Sequence, residues 1–284
     1  MIDFLQNIFE YKFLINALWA ALFASITCGL IGTYIVANRI VFLSGGITHS
    51  SFGGIGIAYF LGWNPILGAA LFSILAALGI EYFTEKGKVR NDSVIGIWWS
   101  LGMAIGIIFI YLTPGYAPNL MTYLFGSILT VSDTNLFYMA IFSLVVVLFF
   151  IIFFKNILFI SFDEKYAKAQ GLPVTLIKNL VLVLVALTIV LNIKVVGIIL
   201  LISLLTVPQS IANFFTQTFK NIILLSMLIG FIGIIAGLII SYTLNIPSGA
   251  SIIFSLIVLF GISKLFLIIA NRYKISKIQQ NNRK

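Results

Sequence analysis

TNLFYMAIFSLVVVLFFIIFF, residues 134–154, runs for 21 residues without a formal charge. A helix rises about 1.5 Å per residue, so this run covers about 30 Å, the thickness of a bilayer's hydrocarbon core. Such a stretch is at home in lipid, where a helix satisfies its own backbone hydrogen bonds. Comparable runs flank it at about 13–36, 40–62, 65–84, 93–112, 176–192, 195–213, 221–243 and 249–270, which makes nine spans. Trp63-Asn64-Pro65 and Asn245-Ile246-Pro247-Ser248-Gly249 separate neighbours with residues that break helices. Glu85, Lys86, Lys88 and Arg90 separate another pair, with Glu81 one turn earlier. The cut at Asn192-Ile193-Lys194 is the weakest, and merging its neighbours leaves eight spans.

Composition agrees with this reading. Of 284 residues 61% are hydrophobic and 9% charged, which is too little charge to clothe a soluble enzyme or a disordered chain. The fold class is all-α and polytopic. Residues 13–272 form one transmembrane domain, residues 1–12 an extracytoplasmic segment without a removable signal peptide, and residues 273–284 a polar cytoplasmic tail. A net charge of +9 suggests nucleic acid in a soluble protein, but here it belongs on cytoplasmic loops. With the C-terminus inside, 14 of the 17 Lys and Arg residues are cytoplasmic. Lys12 and Lys194 fall outside and Lys264 lies within the last helix; nine spans then put the N-terminus outside. A lone cysteine, Cys28, excludes an intramolecular disulfide, and a lone histidine, His49, excludes multi-histidine clusters within one chain.

Between the fifth and sixth spans lies SFDEKYAKAQGLPVTLIK, residues 161–178. Ser161 or Asp163 caps a short helix, Glu164 places negative charge in its first turn, and Gly171 ends it before Pro173. The residues leave two readings open: a solvated connector, or a short helix that docks into a partner's groove.

His49 is the one ionisable group set deep in a span, about 14 Å beyond Ile40. Gly45, His49, Gly53 and Gly56 share one helical face, which allows either tight packing or room for an ion. The residues alone leave His49 open between a hydrogen-bonded core histidine and a functional group. Ser203, Thr206 and Gln209 follow a helical course beside Pro208, as pathway lining or as hydroxyls and an amide bonded to a neighbouring helix.

Several motifs, taken in order, resemble the permease subunits of zinc, manganese and iron ABC importers, distantly similar to siderophore and cobalamin importer permeases. Asp163, Glu164, Ala167, Gly171, Leu172, Pro173 and Val174 resemble that family's cytoplasmic coupling helix. RNDSVIGIWWS (90–100), YLFGSILTVS (123–132), VVGIILLISLLTVPQSIA (195–212) and LNIPSG (244–249) resemble its other signatures. The resemblance implies the ABC importer permease fold in a bacterial or archaeal plasma membrane, paired with a second copy or a homologous permease. It further implies two cytoplasmic ABC ATPase subunits, an extracytoplasmic metal-binding protein, and a divalent metal ion as cargo with no resident cofactor. ATP enters only through the partner, since this chain has no Gly-Lys-Ser/Thr phosphate loop.

That family carries an Asp four residues before the histidine, where this chain has Gly45. His49 carries over as a transient metal contact, while Gly45 and Thr48 become pathway-lining positions. Oxygens are left to Ser44, Thr48, Ser50, Ser51 or freed backbone. Two imidazoles across a dimer suit zinc better than manganese, so this reasoning favours zinc over manganese or iron. An ion-coupled transporter or channel is the alternative, although such proteins usually keep several membrane carboxylates. An intramembrane enzyme needs a nucleophile or metal cage that one histidine cannot build.

Overall fold

The computed structural model describes residues 11–114 and 126–281 as helices joined by short connections. In chain order these are α1 (Lys12–Ala37), α2 (Val41–Phe60), α3 (Pro65–Glu85) and α4 (Asn91–Leu112). Then follow α5 (Asp133–Phe162), α6 (Glu164–Ala169), α7 (Val174–Val196), α8 (Ile198–Leu204), α9 (Val207–Phe215), α10 (Phe219–Leu244) and α11 (Ser248–Asn281). Residues 123–125 of the 123–132 motif, most of the 1–12 segment and the last three residues of the tail lie outside the described residues.

Local chemistry sets the helix ends. Asn64 accepts a hydrogen bond from the Ile66 amide at 2.9 Å, with Pro65 as the first residue of α3. Ser132 accepts from the Asn135 amide at the start of α5, and Asn245, left-handed at φ 54°, closes α10.

Seven helices among the described residues are long and apolar enough to cross a membrane: α1, α3, α4, α5, α7, α10 and α11. The other two of the nine expected spans differ from expectation. The 195–213 stretch is not one continuous helix. α7 runs on through Lys194, so the expected cut at 192–194 moves to Gly197, whose φ of 82° and ψ of 161° interrupt the helix. A second break follows at Leu205–Thr206, leaving α8 and α9 as two short pieces.

α2 has 20 residues, but its glycine, serine and histidine content keeps it below the apolarity of a lipid-exposed span. Fourteen of the 20 are buried, because α2 is held between α3 and α4 by close backbone approach. A Cβ on Gly54 would lie 2.0 Å from the Gly68 carbonyl oxygen of α3, and one on Gly102 of α4 would lie 2.4 Å from Ser50 Cα. The contacts that lower its hydropathy are the ones that bury it.

Gly45 on the same helix differs: a Cβ there would meet only Ile202 Cδ1 and Trp99 Cζ3, both at 3.8 Å. Gly54→Ala is therefore expected to destabilise the protein by about 1–3 kcal/mol through overpacking. Gly45→Ala is expected to be neutral or slightly stabilising, since alanine is the better helix former. Thermal unfolding in detergent checks the pair; equal melting temperatures would contradict this packing.

Candidate functional site

His49 sits midway along α2, half-buried, with its ring stacked on the Trp99 indole of α4. The centroids are 4.1 Å apart and the planes 8° from parallel. Nδ1 is buried and has no hydrogen-bond partner among the described residues. A buried unpaired ring nitrogen costs about 1–3 kcal/mol unless a group from outside these residues pairs with it. One turn before His49, a Cβ on Gly45 would rest in ordinary contact with Trp99 and with Ile202 of α8.

The surrounding hydroxyls are already engaged as donors. Ser44 donates to Val41, Thr48 to Ser44, Ser51 to Thr48, and Ser50 to both Gly46 and Trp98, in every case to a backbone carbonyl. Each oxygen keeps lone pairs that can still accept or ligate. Among the described residues no group of three or more His, Cys, Asp or Glu side chains is placed to hold a metal ion. His49 is thus the only imidazole of the chain, set among hydroxyls whose oxygens keep free lone pairs.

The other expected lining residues divide. Ser203 and Thr206 are half-buried at the end of α8, and Thr206 donates to the Ile202 carbonyl at 2.8 Å. Gln209 is fully buried and turned toward α1, where its Nε2 donates to the Cys28 carbonyl at 2.7 Å and to the Leu204 carbonyl at 3.2 Å. It clamps the broken α8–α9 segment to α1.

At the far end of the bundle, α6 is closed at both ends. Asp163 accepts from the Tyr166 amide at 3.0 Å. The Gly171 amide donates to the Lys168 carbonyl and the Leu172 amide to the Ala167 carbonyl, a paired closure that needs the left-handed Gly171 at φ 74°. Ala167 is fully buried and Leu172 packs against the core, while Pro173 starts the turn into α7.

Lys178 of α7 is the tether. It pairs with Glu81 at 2.5 Å and Glu85 at 2.9 Å, both on α3, and with Glu164 of α6 at 3.5 Å. Glu164 also accepts from Lys168 at 2.6 Å, and that bond, more than the charge of Lys178, holds its carboxyl below the usual carboxylate range. Glu164 therefore remains ionised at neutral pH, and α6 is tied to Lys178 of α7, a helix that the same lysine ties to α3.

Sequence reasoning missed two interactions, the Trp99 stack on His49 and the Lys178–Glu81 ion pair. Trp99 gave no local signal of its contact with His49. Lys178 and Glu81 did carry one: opposite charges placed near the same end of two apolar runs.

A family model described as the ABC 3 transport family matches residues 10–267. The chain belongs to this family. As an ABC 3 chain it is a multi-pass membrane permease subunit of an ABC transporter, a transport component rather than an enzyme. The manganese transport system membrane protein MntC of Listeria monocytogenes is 34% identical, covering 93% of this chain and 94% of that protein. The manganese import system permease protein ScaB of Streptococcus gordonii is 31% identical, over 98% of this chain and 99% of that one. The structure of PsaBC from Streptococcus pneumoniae, solved in complex with Fab, superposes with a TM-score of 0.83 at 34% identity, covering 93% and 95% of the two chains. The ABC importer permease fold is thereby shown.

Proposed function

We propose that this ABC 3 permease forms the membrane passage of an ATP-driven importer of divalent metal ions, with manganese as cargo. The observation that carries the reading is the buried Nδ1 of His49, unpaired among the described residues, on a ring stacked on Trp99. The preference for zinc is not supported, because MntC and ScaB are both manganese systems. A hard ion such as manganese prefers oxygen ligands, so His49 contributes the one nitrogen while hydroxyl, backbone and water oxygens complete a weak, releasable sphere. The ion-coupled alternative is not favoured by membership of an ABC family.

In this reading α6 is the coupling helix and receives a separate ATPase, two copies of the chain (or this chain and a homologue) flank the passage, and an extracytoplasmic binding protein delivers the ion. Nine passes are supported by the contacts at the two ends of the bundle. Lys12 at the start of α1 pairs with Asp133 at the start of α5, so these helices run in the same direction. The Glu81, Glu85, Lys178 and Glu164 cluster marks the opposite, cytoplasmic end. α2 then crosses as a shielded span, and the α8–α9 pair returns the chain to the cytoplasmic side.

The N-terminus is outside and the C-terminus inside. A reporter fused to the C-terminus is expected to be active only in its cytoplasmic form, and an extracytoplasmic signal would contradict the nine-pass arrangement. The functional test is ATP-dependent manganese uptake by the reconstituted permease and ATPase. Uptake that proceeds without the ATPase would return the ion-coupled reading.

A further inference from the structure

A groove of about 810 Å³ opens between α1, α5 and α10, away from the His49 site. Its walls are apolar, with Ile26 and Leu30 from α1, Phe150 and Ile151 from α5, and Ile223 and Met227 from α10. Ile151 and Leu224 on its rim are 67% and 56% exposed, so the groove faces out from the bundle. One end is different in kind: Lys155, Asn156 and Lys220 line it. Neither lysine takes part in an ion pair among the described residues, although Lys12, Lys168 and Lys178 all do.

The depth of these groups is specific. Lys155 follows Asp133, at the opposite end of α5, by 22 residues, which is about 33 Å of helix and one hydrocarbon thickness. The lysines therefore stand at the level of the headgroups. Below them, α5 lines the groove from Asn156 back to Val147, about 14 Å, close to the depth of a single leaflet. The helical path of α5 is interrupted at Phe153, with φ −99° and ψ 15°, within this wall. Two unpaired cations and an amide donor at headgroup level, above an apolar channel one leaflet deep, match one occupant: a phospholipid with an anionic headgroup.

We propose that this groove binds an anionic phospholipid of the inner leaflet. Lys155 and Lys220 hold the phosphate, Asn156 donates to a headgroup oxygen, and an acyl chain lies between Phe150, Ile223 and Met227. Ordinary interfacial lysines would attract anionic lipid to the protein's whole surface; here the cations and the channel fix one molecule at one place. The inference rests on the membrane reading and is independent of the cargo and of His49.

The probes are phosphatidylglycerol and phosphatidylcholine with identical acyl chains, titrated into the delipidated full-length permease and followed by native mass spectrometry. At about fivefold per lysine, roughly 25-fold preference for phosphatidylglycerol is expected, and it should collapse in Lys155→Gln/Lys220→Gln. A photoreactive phosphatidylglycerol should label the groove, at Ile152 or Leu224, in the parental protein, a measurement that needs no variant. Equal retention of the two lipids, a preference that survives in the double variant, or labelling confined to α4 and α11 would each overturn the site.

Discussion

Replacing His49 with alanine is expected to lower ATP-driven manganese uptake at least about tenfold, the size of effect seen even for outer-shell partners of metal ligands. Complex assembly and ATP hydrolysis should persist. The reason is local: α2 is fixed by backbone contacts at Gly54 and Gly68 and at Ser50 and Gly102, none of which involves the imidazole. The ring stacks on Trp99, and among the described residues its Nδ1 has no hydrogen bond to lose. A packing role would therefore appear as a lower melting temperature with uptake per folded complex unchanged. A role in passage appears as the reverse, and in a dimer the single substitution removes both imidazoles. Uptake and thermal unfolding measured on one preparation separate the two.

The second large effect belongs to Lys178. Its change to methionine leaves Glu81, Glu85 and Glu164 without their shared cation, and the Lys178 and Glu81 side chains are only 22% and 18% exposed. Stripping the cation from a largely buried pair costs about 3 kcal/mol. α7 should then loosen from α3 and lose its ion pair with α6, so association with the ATPase falls along with stability. Lys178→Arg keeps the charge and should keep both properties. Glu81→Gln together with Lys178→Met should be milder than Lys178→Met alone, because it removes the more buried of the stranded carboxylates. Co-purification of the ATPase, with thermal unfolding beside it, reads all three variants; undiminished co-purification with Lys178→Met would contradict the tether.

Most of the bundle was legible because lipid demands apolar length, and that demand is written directly in residues such as 134–154. It fails where protein rather than lipid surrounds a helix. α2 falls below the apolarity of its neighbours because Gly54 and its partners on α3 and α4 leave it little lipid to face. The expected cut at Asn192 to Lys194 was drawn at a charge, but a helix carries one lysine without breaking; the break waits for Gly197, where the backbone leaves helical geometry.

At the sites, His49 was legible because an ionisable group within a span is rare, and the limits of α6 were legible from Asp163 and Gly171. Partners across space were not. Trp99 meets His49 through helix packing, Gln209 meets Cys28 through a crossing that no local spacing encodes, and Lys178 joins three helices. The lean toward zinc gave two imidazoles more weight than the oxygens of Ser44, Thr48, Ser50, Ser51 and the backbone, whereas oxygen ligands suit the harder ion named for MntC and ScaB.

If this chain conducts manganese past His49 only when an ATPase drives it, one experiment shows it: radiolabelled manganese uptake into proteoliposomes holding the permease, its ATPase and the metal-binding protein, with the parental chain and His49→Ala run in parallel. Uptake is expected to require ATP in the parent and to fall at least about tenfold in the variant while ATP hydrolysis continues. Parental uptake without ATP, or equal uptake by the two chains, would contradict it.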